Sequence, residues 1–73
     1  MRAEYDRRAN AAYVYFTDEP LTPGRDSVPL ETPEGVQAFI VLDWKDNKIV
    51  GLEILDADQH LHRDFLEQAE IIG

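Results

Sequence analysis

Two short stretches and one isolated acid hold the side chains of this 73-residue chain that could do chemistry. The stretch "YDRRANAAYVYF", residues 5–16, sets two arginines beside three tyrosines and a phenylalanine, a mixture with which RNA-binding strands stack bases and contact phosphate. The stretch "DADQHLHRD", residues 56–64, offers carboxylates and imidazoles, which are ligands for zinc or manganese. Glu53 lies in a mostly apolar stretch, where a carboxyl group can act as a general acid or base.

The basic and aromatic stretch departs from an RNA-binding strand in its details. The glycines of the RNA-recognition motif are absent, and Arg7 and Arg8 precede the aromatic strand, at the tip of a predicted loop. Fifteen acidic and seven basic residues give a formal net charge of −8, so that the field of the whole chain repels a phosphate backbone. We therefore predict no nucleic-acid partner, and a strand in which Val14 and Phe16 face the core with Ala12.

In "DADQHLHRD", helical spacing separates the candidate metal ligands. His60 and Asp64 share one helix face and Asp58 and His62 share another, but the two histidines point in roughly opposite directions. Two ligands on one face make a weak site unless a partner chain completes it. We expect the aspartates to cap the start of a helix instead, and we predict no metal and no cofactor.

Glu53 can also be an exposed edge residue that pairs with Lys48 or Arg2. No combination of serine, histidine and acid indicates nucleophilic catalysis, since Ser27 is the only serine and lies in a predicted loop. The four glycines are scattered and form no phosphate-binding loop, and a domain this small has little volume for a pocket. The sequence therefore favours a non-catalytic role, and we assign no catalytic residue.

The elements that must position these residues are strands in the first half of the chain. Residues 2–6 and 11–17 predict the two arms of a hairpin, since aromatic and β-branched residues favour strands. Residues 18–27 hold two prolines and a glycine and predict an irregular surface connection. Residues 27–31 predict a weak strand, which Pro29 confines to a sheet edge, a strand start or a bulge because proline has no amide donor.

The clearest hairpin is formed by "VQAFIVLDW" and "KIVGLEIL", which flank the turn-prone "KDNK". Both faces of these two strands are substantially apolar, a pattern typical of strands that are covered on both sides. A single helix can cover one face only, so that apolar residues on the other face need a different cover. The candidate interface residues on that face are Tyr13, Tyr15, Phe39, Val41, Ile49 and Leu55.

Residues 56–73 change to a helical period. Asp56 is a good N-cap, and Gln59 completes a capping-box pattern. The sequence therefore predicts an α+β fold, an antiparallel β-meander of about five strands with one C-terminal helix packed on one sheet face. The apolar residues that recur at helical spacing are Leu61, Phe65, Leu66, Ala69 and Ile72.

Size and composition limit what the chain can be. Seventy-three residues predict a single domain, 1–73, whose core is small enough that self-association is a common supplement. The absence of cysteine excludes disulfides and thiolate sites and agrees with a reducing compartment. The longest apolar run, "AFIVL", is far too short to span a bilayer, and the first residues predict no signal peptide. We predict a cytoplasmic homodimer that does not contact membranes.

The arrangement resembles a bacterial and archaeal family of small domains known as domain of unknown function 2283. The resemblance rests on "EYDRRANAAYVYF", "VLDWKDNKIVGLEIL" and "DADQHL", and it covers most of the chain apart from residues 18–27. Family members often carry glycine where this chain has Asn47, which also tolerates left-handed backbone. The resemblance implies an antiparallel sheet with a C-terminal helix and brings no catalytic residues. Some relatives look like neighbours of toxin-type genes, which implies an antitoxin or accessory role as an alternative.

We expect a non-catalytic protein-interaction module that self-associates through the apolar sheet face described above. The alternative is an antitoxin-like or accessory protein whose acidic surface binds a basic partner protein. A metal- or small-ligand-binding domain is a third expectation. These hypotheses differ in which change should weaken binding: the first predicts that Phe39→Glu yields a monomer, and the second that charge reversals in residues 18–34 abolish partner binding.

Overall fold

A computed structural model describes residues 2–20 and 24–73 of the chain. These residues form one β-sheet and two short helices. The strands are β1 (Arg2–Asp6), β2 (Ala11–Tyr15), β3 (Asp26–Pro29), β4 (Ile40–Lys45), β5 (Lys48–Leu55) and β6 (Glu70–Ile72). The helices are α1 (Ala57–His60) and α2 (Arg63–Gln68).

The sheet is mixed, with the strand order β3-β4-β5-β2-β1-β6. All neighbouring strands are antiparallel except β1 and β6, which are parallel. The predicted α+β class is therefore confirmed, whereas the purely antiparallel meander of about five strands is wrong, since the described residues form six. The additional strand, β6, provides hydrogen-bond partners for backbone groups at the edge of β1. Next to this edge the Arg7 amide also donates to the Ile72 carbonyl at 3.0 Å.

The predicted single C-terminal helix is also wrong. Leu61 and His62 have extended backbone and separate α1 from α2, and Ala69 is extended before β6. Asp56 precedes α1 with left-handed backbone (φ 50°, ψ 48°), and its side chain makes no capping hydrogen bond, so that the predicted capping box does not form. No helix in the described part of the chain is long and apolar enough to cross a membrane.

The two predicted hairpins are confirmed, with β1 and β5 as predicted and β2 and β4 shorter than predicted. The β4–β5 turn is made by Asp46 and Asn47, both with positive φ (51° and 62°), which is the conformation of a two-residue hairpin loop. Strand β4 begins at Ile40, and the four residues before it, which we predicted as strand, lie outside the sheet. The register shifts at Trp44, which pairs with Ile49 because a bulge in β5 inserts one residue.

Strand β3 lies at the edge of the sheet, as the position of Pro29 predicts. The Leu30 amide donates to the Ile40 carbonyl at 2.8 Å, and alternate residues along an antiparallel strand bond to the same neighbour. Pro29 therefore occupies a position whose backbone groups point away from β4. Its missing amide leaves the outer edge of β3 poorly suited to pair with another strand.

Alternation along the strands separates two faces of the sheet. One face, which we call the groove face, carries Glu4, Tyr13, Tyr15, Val41, Asp43, Gly51 and Glu53. The opposite face, which we call the helix face, carries Ala3, Ala12, Val14, Val28, Leu42, Leu52 and Ile54.

The two helices pack against the part of the helix face formed by β1, β2 and β5. Ala12, Val14 and Ile54 are 1%, 8% and 4% exposed, and Phe65 of α2 borders a cavity beside Val14. Phe16, which we predicted to face the core with them, follows the end of β2 and is 47% exposed. Most of the core thus lies on one half of the helix face, and Val41, which is 8% exposed, adds a buried apolar side chain on the groove face.

Asn10 attaches the helices to the first hairpin. Its side-chain oxygen accepts hydrogen bonds from the Tyr5 hydroxyl (2.9 Å) and the Asp58 amide (3.1 Å). Its side-chain nitrogen donates to the Asp58 carboxylate at 2.7 Å, and its carbonyl accepts from the Ala57 amide at 3.0 Å. Asn10 also has φ 50°, a conformation that asparagine adopts more readily than most residues. One residue therefore fixes both the hairpin turn and the start of α1.

Replacement of Asn10 should separate the contribution of its side-chain hydrogen bonds from that of its left-handed backbone. We expect Asn10→Gly, which keeps the left-handed backbone and removes the side-chain hydrogen bonds, to lower the free energy of unfolding by about 1–3 kcal/mol. Asn10→Ala should cost about 1 kcal/mol more, because it also strains the backbone. Urea denaturation measures both values. A glycine variant as stable as the parent would show that the side-chain bonds do not hold the helices in place.

Candidate functional site

The centre of the groove face is a buried carboxylate. Asp43 on β4 is 3% exposed and accepts hydrogen bonds from the Tyr13 hydroxyl (2.5 Å) and the Ser27 hydroxyl (2.6 Å). The Arg25 guanidinium lies 3.4 Å from the same carboxylate oxygen that Tyr13 contacts. A buried carboxylate is tolerated when it is paired and hydrogen-bonded, and the two hydroxyl donors and the guanidinium meet that requirement.

Gly51 lets Tyr13 reach Asp43 across an intervening strand. Tyr13 belongs to β2 and Asp43 to β4, and β5 lies between them. Gly51 on β5 is paired with Asp43 on one side and with Tyr15 on the other. A Cβ atom at Gly51 would overlap the hydroxyl and ring of Tyr13. Glycine is therefore the residue that allows the tyrosine ring to lie flat over the sheet.

A second tyrosine continues the cluster towards β1. The Tyr15 hydroxyl donates to the Glu4 carboxylate, and the Arg2 guanidinium carbon lies 4.0 Å from the centroid of the Tyr15 ring. The ring centroids of Tyr13 and Tyr15 are 4.7 Å apart with the rings tilted by 57°, an ordinary aromatic contact. The two tyrosines thus connect carboxylates on β1 and β4.

Both phenols are held in the protonated form. The pKa of Tyr13 is raised by burial and, secondarily, by its hydrogen bond to the Asp43 carboxylate. The pKa of Tyr15 is raised chiefly by its hydrogen bond to Glu4 and then by burial. These hydroxyls therefore act as hydrogen-bond donors to neighbouring carboxylates, a positioning role rather than that of a base.

A groove of about 560 Å³ runs along this face, which gives the face its name. Its floor is made by small residues of β2, and its walls combine carboxylates, guanidinium groups and tyrosine rings. It is lined by Arg2, Glu4, Asp6, Ala9, Ala11, Ala12, Tyr13, Tyr15, Arg25, Glu53 and Ile72.

Glu53 lies in the interior of the sheet and faces the groove, between Tyr13 of β2 and Val41 of β4. It is half-buried, and within the described residues it makes no hydrogen bond or ion pair. The alternative of an edge residue paired with Lys48 or Arg2 is therefore wrong. Glu53 offers the groove two unoccupied acceptor oxygens.

The predicted interface residues are divided between the two faces. Phe39 precedes β4 and is 54% exposed, and alternation places it on the groove face. Ile49 pairs with Trp44 through the bulge and therefore lies on the helix face. The other four belong to the groove face and are Tyr13, Tyr15, Val41 and Leu55.

The histidines weighed as metal ligands lie on different elements. His60 ends α1, and His62 belongs to the extended break before α2. The Nε2 atom of His60 is buried and has no hydrogen-bond partner among the described residues. In the ranges 2–20 and 24–73, no three His, Cys, Asp or Glu side chains are grouped to hold a metal ion.

The network around Asp43 was not predicted from the sequence. Two local signals point to it: an aspartate within the apolar run "FIVLDW", and a glycine in the interior of the strand "KIVGLEIL". Glycine inside a strand often marks a close approach by another group. The partners Tyr13 and Ser27 come from distant parts of the chain, which no local pattern specifies.

The sequence matches the profile of one protein family over residues 2–57. The family is described as "Protein of unknown function (DUF2283)". Neither a curated protein nor a solved structure matches the chain. The matched range contains β1 to β5 and the start of α1, and therefore every residue that contacts Asp43.

A double-mutant cycle should test the packing of Tyr13 over Gly51. We expect Gly51→Ala to lower the free energy of unfolding by about 2–3 kcal/mol, because the added methyl group displaces the ring and its hydrogen bond to Asp43. In a Tyr13→Ala background the same change should cost less than about 1 kcal/mol. Urea denaturation gives the four values. Equal costs in both backgrounds would mean that the two residues do not interact.

The raised pKa of Tyr13 predicts a loss of stability in alkali. The protonated phenol is favoured in the folded chain, so that its stabilisation is complete below about pH 10, the unfolded pKa, and is lost as the pH rises through the higher folded pKa. Above about pH 10 the free energy of unfolding of the parent should fall more steeply than that of Tyr13→Phe, by up to about 1.4 kcal/mol per pH unit. Urea denaturation between pH 8 and about 11 measures the difference. Parallel pH profiles would contradict the assignment.

Proposed function

We propose that the chain, which belongs to the DUF2283 family of proteins of unknown function, is a non-catalytic protein-interaction module that self-associates. The proposed contact surface is the half of the helix face that α1 and α2 leave uncovered. The observation that carries the proposal is the incomplete burial of that face.

The uncovered half lies on β3, β4 and the first part of β5. Val28, paired with Leu42, is 47% exposed, and Ile49, paired with Trp44, is 42% exposed. Leu42 and Trp44 are only half-buried. We call this surface the apolar half-face; its residues are Phe16, Val28, Leu42, Trp44, Ile49 and Leu52. Exposed apolar surface of this extent is typical of protein-interaction sites.

The accessible surface and the radius of gyration of the chain support the presence of a binding partner. Its accessible surface is 5590 Å², whereas a folded monomer of this mass exposes about 4600 Å². The radius of gyration is 12.4 Å, against about 11 Å for a compact domain of 73 residues. No large side chain among the described residues is completely buried. These values are those of a chain less compact than a typical folded monomer of its size.

A second copy of the chain is the occupant that these values favour. The excess surface, about 1000 Å², is similar to the roughly 800 Å² that each partner buries in an interface of standard size. Small chains commonly complete their cores by oligomerising. Pairing of two β3 edges is disfavoured by Pro29, so that we place the contact on the face.

The groove face is less suited to an apolar contact than the sequence suggested. Its tyrosine hydroxyls are bonded to Asp43 and Glu4, and Arg2 and Glu53 also line it. Burial of these charged groups against an apolar surface would cost free energy. Self-association through the six residues predicted from the sequence, five of which lie on this face, stays a prediction. Binding of a basic partner protein by the acidic surface of residues 18–34 also stays a prediction.

Two matched substitutions test the proposal. Light scattering coupled to size-exclusion chromatography, at tens of micromolar protein, should give a dimer mass for the parent and a monomer mass for Val28→Glu, because an unpaired carboxylate in an apolar contact is strongly unfavourable. Phe39→Glu, a change at a similarly exposed residue on the groove face, should remain a dimer. Added salt should not dissociate the parent, since it screens the repulsion between two chains of net charge −8.

Either of two results would contradict the proposal. If the parent is monomeric at every concentration and salt level, the apolar half-face does not bind a second copy of the chain and would be the contact surface for a different protein. A dimer that Phe39→Glu dissociates and Val28→Glu does not would place the contact on the groove face. Circular dichroism of each variant ensures that a change of mass does not reflect unfolding.

A further inference from the structure

The groove on the groove face has a floor that leaves room for a ligand. Ala11 lies between Asp6 of β1 and Leu55 of β5, and its methyl group is much smaller than the side chains around it. Glu4 and Glu53 are its diagonal neighbours on the same two strands. Three carboxylates therefore surround a shallow depression within the groove of about 560 Å³.

The hydroxyl groups of the groove are already committed. The Tyr13 and Tyr15 hydroxyls donate to Asp43 and Glu4. The Asp6 carboxylate accepts from the amides of Arg8 (3.0 Å) and Ala9 (3.2 Å) through one oxygen.

The carboxylates retain free acceptor positions. Glu53 has no partner among the described residues, and each of Glu4 and Asp6 uses one oxygen in the bonds given above. The depression around Ala11 therefore offers acceptors and negative charge, and it suits a ligand that carries donors and positive charge.

The spacing of these carboxylates distinguishes an organic cation from a metal ion. Glu4 and Glu53 pair with Tyr13 from opposite sides, so that their backbones are two strand spacings, about 10 Å, apart, which is unfavourable for direct binding of one metal ion by all three groups. In keeping with this, the described residues contain no group of three such side chains that could hold a metal. A planar guanidinium has five donors spread over several ångströms and can contact more than one carboxylate.

The groove also shows that it accepts a guanidinium on its aromatic surface. Arg2 of the same chain lies with its guanidinium carbon 4.0 Å from the Tyr15 ring centroid. Ile72 adds an apolar wall against which the methylene groups of a long side chain can pack. Aromatic, apolar and acidic surfaces thus occur together in one groove.

We propose that this groove binds an organic cation, the guanidinium or ammonium group of a basic side chain, with Glu53 as its principal charge partner. The site lies on the face opposite the apolar half-face, so that it does not depend on self-association.

The test uses amide chemical shifts of the isotope-labelled full-length protein. The probe is Nα-acetyl-arginine amide, and its neutral counterpart is Nα-acetyl-citrulline amide, which has nearly the same shape. We expect the arginine probe to shift the amides of Ala11 and Glu53 and the citrulline probe to leave them unchanged. Agmatine, a free guanidinium compound, is the second cationic probe. Its affinity relative to that of the arginine probe distinguishes a small amine from a protein side chain as the source of the cation. Binding of either cationic probe supports the site.

A matched pair of variants tests the role of Glu53. Glu53→Gln keeps the size of the side chain and should weaken binding of the arginine probe about tenfold, the effect of losing a charge-assisted hydrogen bond. Glu67→Gln removes the same charge from the exposed surface of α2 and should leave the affinity unchanged. The amide spectra of both variants report whether the fold is retained.

Three results would overturn the inference. The first is the absence of shifts around Ala11 with every cationic probe at millimolar concentration. The second is equal binding of arginine and citrulline probes, which would mean that charge is not recognised. The third is an equal loss of affinity in Glu53→Gln and Glu67→Gln, which would assign binding to the overall negative charge of the chain.

Discussion

The burial of one carboxylate constrains the arrangement of four strands. Asp43 is 3% exposed, and a carboxylate in that position is stable only if donors surround it. Tyr13 supplies a donor from β2, and Ser27 supplies one from β3. The correct register of the four neighbouring strands is therefore the one in which both hydroxyls reach Asp43. These strands are β3, β4, β5 and β2. A slip of one residue in any of these strands would turn a partner to the opposite face and leave the charge unpaired.

This constraint also explains why the two faces differ. The tyrosines and carboxylates that serve Asp43 and its neighbours give the groove face a polar character, although the strands themselves are rich in apolar residues. Apolar side chains are then concentrated on the helix face, where two helices of four and six residues are too short to cover a six-stranded sheet. The division yields two surfaces of different chemistry, one polar with a groove and one apolar and half-open.

Local patterns in the sequence predicted the hairpins and the position of β3. Alternating apolar runs on either side of Asp46 and Asn47 specify a hairpin without reference to the rest of the chain. Pro29 specifies an edge for the same reason, since its missing amide is a property of one residue. The residues of the groove were noticed singly, as tyrosines and Glu53, but their grouping depends on which strands are neighbours.

The missed features depend on contacts between distant residues. The last residues, "EIIG", continue a helical pattern, yet Glu70–Ile72 form a strand because β1 offers an unpaired edge. The break at Leu61 and His62, which redirects the chain towards that edge, has no glycine or proline to announce it. Asp43 likewise resembles an ordinary strand-end acid until Tyr13 and Ser27 are placed beside it.

The parallel pairing of β1 and β6 has a consequence for the order of folding. Glu4 is aligned with Glu70, so that this pair closes a loop of 66 positions, nearly the length of the chain. Closing so long a loop is entropically costly, and it becomes favourable only after the β1–β2 hairpin has formed the edge that β6 joins. Strand β6 should therefore attach late in folding, and its amides should exchange with solvent through local opening well before those of β4 and β5.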